Sequence, residues 1–228
     1  MPRGTSLRQW SVASLPFAAL ERLHWVDSWS GRRAWLLLKS LNLPFDEITI
    51  PLYREDSRSA VRALGGQTGL VPVLLDRGAA IWDTLAIFEH LYERHPAVWP
   101  RERSARARAR SISGEIHSAF NALRGAMPVN TRARGRLATQ TADVTADIER
   151  VVAICSERGG GSPWLFGEFS GADIMFAPIA TRFQTYGIEL QGFAKGYMDR
   201  LLEHPLVTEW LRMGERETDL IPTLEIGR

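Results

Sequence analysis

The first half of the chain carries apolar patterns of two kinds. Apolar residues at positions 34, 37, 38 and 41 repeat with the spacing of a helix that buries one face. Short runs rich in β-forming residues have instead the length of strands. These patterns predict helices over 34–41, 56–64 and 83–95, strands over 45–50, 70–75 and 79–82, and a poorly defined first strand within 15–24.

The order of these elements predicts an α/β fold with a small mixed sheet. A helix between two strands implies a parallel pair. The turn Asp76-Arg77-Gly78 is typical of a hairpin and implies an antiparallel pair. The expected arrangement is βαβαββα, with the helices packed on the sheet.

The second half of the chain has a different pattern. Residues 97–103 have the composition of a linker, and no convincing strand follows them. Helices are predicted over 104–126, 132–157, 171–187, 194–203 and 206–217. Residues 1–17 show no clear period and are interpreted as an N-terminal extension. The chain is therefore expected to be α/β first and all-α second.

The segment Phe169-Ser170-Gly171-Ala172-Asp173 predicts how one of these helices begins. Ser170 can cap the amide of Asp173 while the Asp173 carboxylate reaches back to the Ser170 amide, which is a capping box. Phe169 and Ile174 stand at the two positions of a hydrophobic staple. No ligand is needed to explain this motif, so its interpretation is structural.

Composition narrows the classes of function. The 228 residues carry a formal net charge of +2 and are 45% hydrophobic, as in an ordinary globular protein. Cys155 is the only cysteine, which excludes an intramolecular disulfide and a cysteine-rich metal site. The arginine-rich run 101–110 lacks interleaved aromatic residues, so we interpret it as a solvated helix start rather than a nucleic-acid site. We expect a cytoplasmic protein that binds no metal, nucleic acid or membrane.

Three short motifs could hold a ligand. In the polar turn 27–31, Ser28 either acts on a bound molecule or belongs to a helix cap. Val71-Pro72 fits a cis peptide that leaves the Val71 backbone free to pair with an extended, peptide-like ligand, or else a simple edge-strand proline. Asp83 and Thr84 either cap the following helix or bind the ammonium and carboxylate of one amino-acid end of a ligand.

Taken together, these motifs resemble those of the glutathione transferases. The resemblance covers about residues 24 to 215, and its segments occur in the family's order and spacing. It is carried by SWSGRRAWLLLKSLNLPF (28–45), GLVPVLLD (69–76), IWDTLAIFEHLYERHPAVWP (81–100), ARSISGEIHSAFNALRGAMPVN (109–130) and PWLFGEFSGADIMFAPIATRFQTYG (163–187).

The resemblance implies a thioredoxin-like domain over 18–96 that binds glutathione and, after a linker over 97–103, an all-helical domain over 104–228 that supplies an acceptor pocket. It also implies roles for individual residues. Ser28 would donate a hydrogen bond to the sulfur, and the backbone beside cis Pro72 would pair with the cysteinyl part. The implied glutathione-binding residues are Trp29, Val71, Pro72, Asp83 and Thr84.

The resemblance further places His117, Phe120 and Arg124 on the helix that faces the active-site cleft, as candidate acceptor-pocket residues. Ordinary helix packing with a surface arginine is the alternative for this set. Cys155 is not placed like the cysteine of cysteine-type relatives, so thiol–disulfide exchange through it is not expected.

The implied function is a homodimeric detoxification enzyme that conjugates glutathione to an electrophilic small molecule. A glutathione-dependent isomerase is a variant of this hypothesis. Asp27 stands where close relatives carry a first serine, and a carboxylate near the sulfur would disfavour a thiolate. A non-catalytic glutathione-binding or regulatory protein is therefore the alternative.

Overall fold

The structure is a computed structural model that describes residues 19–20, 29–48, 50, 54–157, 161–216, 221 and 225–227. The predicted N-terminal extension, Asp27 and Ser28 lie outside the described residues.

The α/β half contains the predicted elements in the predicted order. Strand β1 pairs in parallel with β2, and β3 pairs antiparallel with β4 so that Val73 lies opposite Trp82. Strand β4 has the predicted bounds, whereas β3 begins three residues later than predicted because Pro72 cannot donate to a ladder. The elements are β1 Ala19–Leu20, α1 Trp29–Ser40, β2 Asp46–Glu47, α2 Ser57–Ala63, β3 Val73–Asp76, β4 Ala79–Trp82 and α3 Thr84–Tyr92.

A helical half follows a short 3-10 helix over Pro96–Val98. Its elements are α4 Arg103–Ser118, α5 Asn121–Ala126, α6 Ala142–Ser156, α7 Gly171–Thr185, α8 Gly192–Glu203 and α9 Pro205–Glu215. The fold is therefore a thioredoxin-like α/β unit followed by an all-α unit, as predicted. No helix within the described ranges is long and apolar enough to cross a membrane.

Two helix predictions were wrong in extent. The helix predicted over 104–126 is broken, because Ala119 is extended and Phe120 adopts a left-handed backbone with φ of +61°. The helix predicted over 132–157 begins only at Ala142. The Asn130 side chain accepts hydrogen bonds from the amides of Arg132 and Ala133, and such local bonds compete with helix formation.

Helix α1 joins the two halves. It packs against α3 in its own half and against α7 and α9 in the helical half, and Ala34, Leu37 and Leu38 are fully buried there. The start of α7 also approaches α3 closely. A Cβ at Gly171 would lie 2.9 Å from the Val98 carbonyl oxygen and 3.1 Å from the Phe88 ring, so only glycine fits without displacement.

The predicted capping box of α7 is confirmed. The buried carboxylate of Asp173 accepts hydrogen bonds from the amides of Ser170 and Leu165 and from the Tyr197 hydroxyl, at 2.9, 3.2 and 3.0 Å. Burial raises the pKa of Asp173 to about 6, and these hydrogen bonds limit the rise. The motif thus fixes the start of the central helix of the second half.

We expect Asp173→Ala to lower the free energy of unfolding by about 2–4 kcal/mol, because it removes the cap and leaves buried donors without an acceptor. Urea unfolding followed by circular dichroism measures this change. Asp199→Ala removes an exposed carboxylate of α8 and should change the free energy by less than about 0.5 kcal/mol. Equal losses in the two variants would contradict the proposed role of Asp173.

Candidate functional site

The Val71-Pro72 peptide bond is cis, as the family resemblance implied. Val71 lies immediately before β3 and is half-buried, while Pro72 is buried. Within the described part of the chain, neither the N–H nor the C=O of Val71 makes a hydrogen bond. This backbone can therefore receive an extended ligand by strand-like pairing.

Asp83 caps helix α3 from an unusual backbone conformation. Its Oδ1 accepts hydrogen bonds from the amides of Leu85 at 2.8 Å and Ala86 at 3.4 Å. The capping alternative is therefore correct for Asp83. Its φ of +77° is one that residues other than glycine rarely adopt and costs about 1–3 kcal/mol. Strain of this kind concentrates at functional sites, so capping does not exhaust the role of this residue.

The second carboxylate oxygen of Asp83 points across to the helical half. Asp83 Oδ2 lies 2.9 Å from Nε2 of His117 on α4, and the two side chains are 43% and 32% exposed. The Asp83 carboxylate thus faces a solvent-accessible cleft between the halves. An acidic oxygen in this position can hold an ammonium group. Thr84 begins α3 and is fully buried.

The other predicted site residues differ in their burial and in their contacts. Trp29 is the first residue of α1. Phe120 is 4% exposed and packs in the hydrophobic core. Arg124 on α5 is half-buried and donates a hydrogen bond to the Ile116 carbonyl. Phe120 therefore lies in the core, whereas the His117 side chain contacts Asp83.

Sequence reasoning missed a buried arginine on α1. Arg33 is only 5% exposed and donates from NH2 to the Met175 carbonyl of α7 at 3.2 Å. Burial, together with repulsion from Arg124 and Arg182, lowers the pKa of Arg33 to about 9, and the Asp83 charge opposes this shift. Its position one turn before Leu37, on the apolar stripe of the helix, was the available signal.

A polar cluster fixes α3 relative to the sheet. Asp76 at the end of β3 is buried and accepts hydrogen bonds from His90, at 2.8 Å, and from Arg94. Although burial alone would raise the pKa of Asp76, the bonds from His90 and Arg94 hold it below its usual value. Because Asp83 begins the same helix, this cluster also sets its position relative to Pro72.

Cys155 is fully buried in α6. Burial, reinforced by the nearby charge of Asp173, raises the pKa of its thiol to about 12. A thiol in this state is not a nucleophile at neutral pH. Among the described residues, no group of three or more His, Cys, Asp and Glu side chains is arranged to hold a metal ion.

Family comparisons match nearly the whole described chain. Residues 23–102 match the glutathione S-transferase N-terminal domain, and residues 102–212 match the glutathione S-transferase C-terminal domain.

Individual relatives match only part of the chain, at moderate sequence identity. The chain is 28% identical over 142 residues to a stringent starvation protein A homologue from Pasteurella multocida, covering 59% of this chain and 64% of the relative. It is 34% identical over 103 residues to a probable maleylacetoacetate isomerase from Caenorhabditis elegans, covering 44% and 47% of the two chains. The chain thus spans less than two thirds of the length of either relative.

A solved structure shares the fold. The structure of a glutathione transferase homologue from Burkholderia, with bound glutathione, is similar to this one with a TM-score of 0.68. The two sequences are 23% identical, and the match covers 86% of this chain and 97% of the other.

We expect Cys155 to resist alkylation in the native protein, because the thiol is buried and its pKa lies far above neutrality. Reaction with iodoacetamide at pH 8, followed by mass spectrometry, should be at least about 100-fold slower than in the chain unfolded by urea. Native labelling at the rate of the unfolded chain would show that α6 opens freely and that the thiol is available.

Proposed function

Because this chain belongs to the glutathione S-transferase family, we propose that it binds glutathione in the cleft beside Val71 and Asp83 and joins the glutathione sulfur to an electrophilic small molecule. The glutathione bound to the Burkholderia homologue of the same fold supports this proposal. The proposal rests mainly on the geometry of Asp83. One oxygen of its carboxylate caps α3, and the other faces the cleft.

The proposed binding uses complementary groups along the cleft. The unpaired backbone of Val71, beside cis Pro72, hydrogen-bonds the cysteinyl part of glutathione. Oδ2 of Asp83 pairs with the ammonium of the γ-glutamyl part. The start of α3 at Thr84, where the helix dipole is positive, is proposed to face its carboxylate. Trp29 lies at the start of α1 and is proposed to contact the ligand near the turn.

Ser28 is the proposed catalytic residue. Its hydroxyl donates a hydrogen bond to the sulfur, which lowers the thiol pKa and raises the fraction of thiolate at neutral pH. The thiolate then forms a bond to an electrophilic carbon, and the displaced group leaves with its bonding electron pair. His117 and Arg124 are proposed to border the acceptor, and Phe120 to support that wall from the core. A homodimer is the proposed assembly.

A non-catalytic glutathione-binding protein is the second candidate. Asp27 replaces the first serine of the turn, and one relative is a stringent starvation protein A homologue, a name that denotes no enzymatic activity. A glutathione-dependent isomerase is a further variant, supported by the match to a probable maleylacetoacetate isomerase. An enzyme of either kind should show ultraviolet thiolate absorbance from bound glutathione at neutral pH, whereas a binder should not.

We expect Asp83→Asn to weaken glutathione binding about 10- to 100-fold in a calorimetric titration, because it removes the charge that pairs with the ammonium. The asparagine side-chain oxygen can still cap α3, so the fold should persist. Glutathione acetylated on the γ-glutamyl nitrogen lacks the ammonium and should bind both forms equally weakly.

Asp143→Asn is the matched control for this experiment. Asp143 is likewise an acidic residue at a helix start, on α6, where it is exposed. Its substitution should leave glutathione affinity unchanged. An undiminished affinity in Asp83→Asn would remove Asp83 from the binding site, and absence of binding to the wild type would contradict the proposed function.

We expect Ser28→Ala to lower kcat/KM for conjugation of chlorodinitrobenzene about 10- to 100-fold, since it removes a hydrogen bond to a charged sulfur. The thiolate absorbance of bound glutathione should fall in parallel. Ser30→Ala, in the same segment, is the control and should retain activity. Unchanged activity in Ser28→Ala would exclude this serine from the mechanism.

A further inference from the structure

Three arginines from three helices come together at the boundary between the halves, beside the proposed glutathione site. They are Arg33 of α1, Arg124 of α5 and Arg182 of α7, and we call them the arginine cluster. Arg33 reaches α7 through its bond to the Met175 carbonyl. Arg182 lies two turns further along α7 and donates from Nε to the Met127 carbonyl, at 2.8 Å, immediately after α5.

The third arginine connects the cluster to the cleft. Arg124 donates to the carbonyl of Ile116, the residue that precedes His117 on α4. His117 in turn contacts Asp83 at 2.9 Å. A continuous path of hydrogen bonds and shared helices thus runs from the proposed ammonium site to the arginine cluster.

Arg33 and Arg124 donate to neutral carbonyl oxygens, and the charge of Asp147 favours the charged form of Arg124. Within the described residues, Arg33 and Arg124 each make one hydrogen bond and no ion pair, and Arg33 Nε makes no hydrogen bond although the side chain is 95% buried. A guanidinium carries five N–H donors. Several donors of Arg33 and Arg124 are therefore left for a ligand.

This arrangement is costly for the free protein. Removing a cation from water costs several kcal/mol unless an anion compensates, and neighbouring cations add repulsion. Burial, followed by repulsion within the cluster, lowers the pKa of Arg33 and of Arg182 to about 9. The charge of Asp83 opposes the shift at Arg33. An anionic ligand would offset this cost, as buried charges with poor compensation mark functional sites.

We propose that the arginine cluster binds a carboxylate of the acceptor molecule, so that the electrophile is an organic acid rather than a neutral apolar compound. The proposal rests on the proposed function, since the acceptor must lie beside glutathione. Arg124 is half-buried and makes the direct contact, because the planar guanidinium pairs with a carboxylate through two parallel hydrogen bonds. Arg33 and Arg182 lie behind it and supply additional positive charge.

The cleft would then hold two charges of opposite sign. Asp83 selects the ammonium of glutathione, and the arginine cluster selects the anion of the second substrate. Chloronitrobenzoate illustrates the reaction. The thiolate forms a bond to the ring carbon that carries chlorine, the carbon–chlorine bond breaks, and chloride leaves with the bonding pair. The thiol proton passes to solvent, and the carboxylate is unchanged.

Calorimetric binding of two product conjugates tests the proposal without requiring turnover. One is the glutathione conjugate of chloronitrobenzoate, and the other is the same conjugate with its aryl carboxylate as a methyl ester. We expect the acid to bind the wild-type protein at least about tenfold more tightly than the ester. Arg124→Gln should reduce this ratio to about one while the affinity for the ester stays within about twofold.

Two further variants separate charge from structure. Arg124→Lys keeps the positive charge and should keep part of the preference for the acid. Arg108→Gln removes an exposed arginine of α4 that pairs with Glu157, and it should keep the full wild-type ratio. Thermal unfolding of each variant identifies any loss of fold.

The outcomes distinguish this inference from the function on which it rests. Binding of glutathione and of both conjugates with equal affinities for acid and ester would overturn the inference and leave the glutathione site intact. An unchanged ratio in folded Arg124→Gln would also overturn it. If neither glutathione nor the conjugates bind the wild type, the proposed function fails, and the inference fails with it.

Discussion

The burial of helix α1 between α3 and α7 determines where every candidate site residue lies. Its apolar face, with Ala34, Leu37 and Leu38, completes the core of both halves. The same packing brings Arg33 against the Met175 carbonyl. The halves therefore share one core, and the cleft is a consequence of how their helices meet.

Helix α7 carries two buried charged side chains, Asp173 and Arg182, and their surroundings differ. At its start, Asp173 is surrounded by donors from the backbone and from Tyr197. Further along, Arg182 and its neighbour Arg33 donate to carbonyl oxygens and repel each other. The donors around Asp173 all belong to the protein, and a helix cap accounts for this arrangement without a ligand. In the second arrangement, Arg33 makes no ion pair within the described residues and its Nε makes no hydrogen bond, while the Asp83 charge partly offsets its burial.

Features encoded by short segments could be predicted from the sequence. The cap at Ser170 and Asp173, the cis bond before Pro72 and the capping role of Asp83 each depend on a few adjacent residues. Helix periodicity also placed α1 correctly, although it missed the first turn of the helix. Local signals were sufficient for the order of elements in the α/β half and for the starts of α3 and α7.

Features that depend on distant contacts could not be predicted. The break at Phe120 requires a left-handed backbone at a residue with no special preference for it, and the core holds its ring there. Arg33 is buried only because α7 covers it, which a single helix pattern does not reveal. The pairing of Asp83 with His117 joins two halves of the chain and is equally invisible to periodicity.

The contact between Asp83 and His117 sets a minimum strength for the interaction of any cation with the Asp83 carboxylate. The outward oxygen of Asp83 already has a partner at 2.9 Å, so an incoming cation exchanges one contact for another instead of adding a new one. The net gain is the difference between two interactions, and a weakly hydrogen-bonding cation gains almost nothing. Quaternary amines, which have no N–H donor, would gain little on this basis. A primary ammonium, with three donors, can satisfy the carboxylate and leave the imidazole beside it.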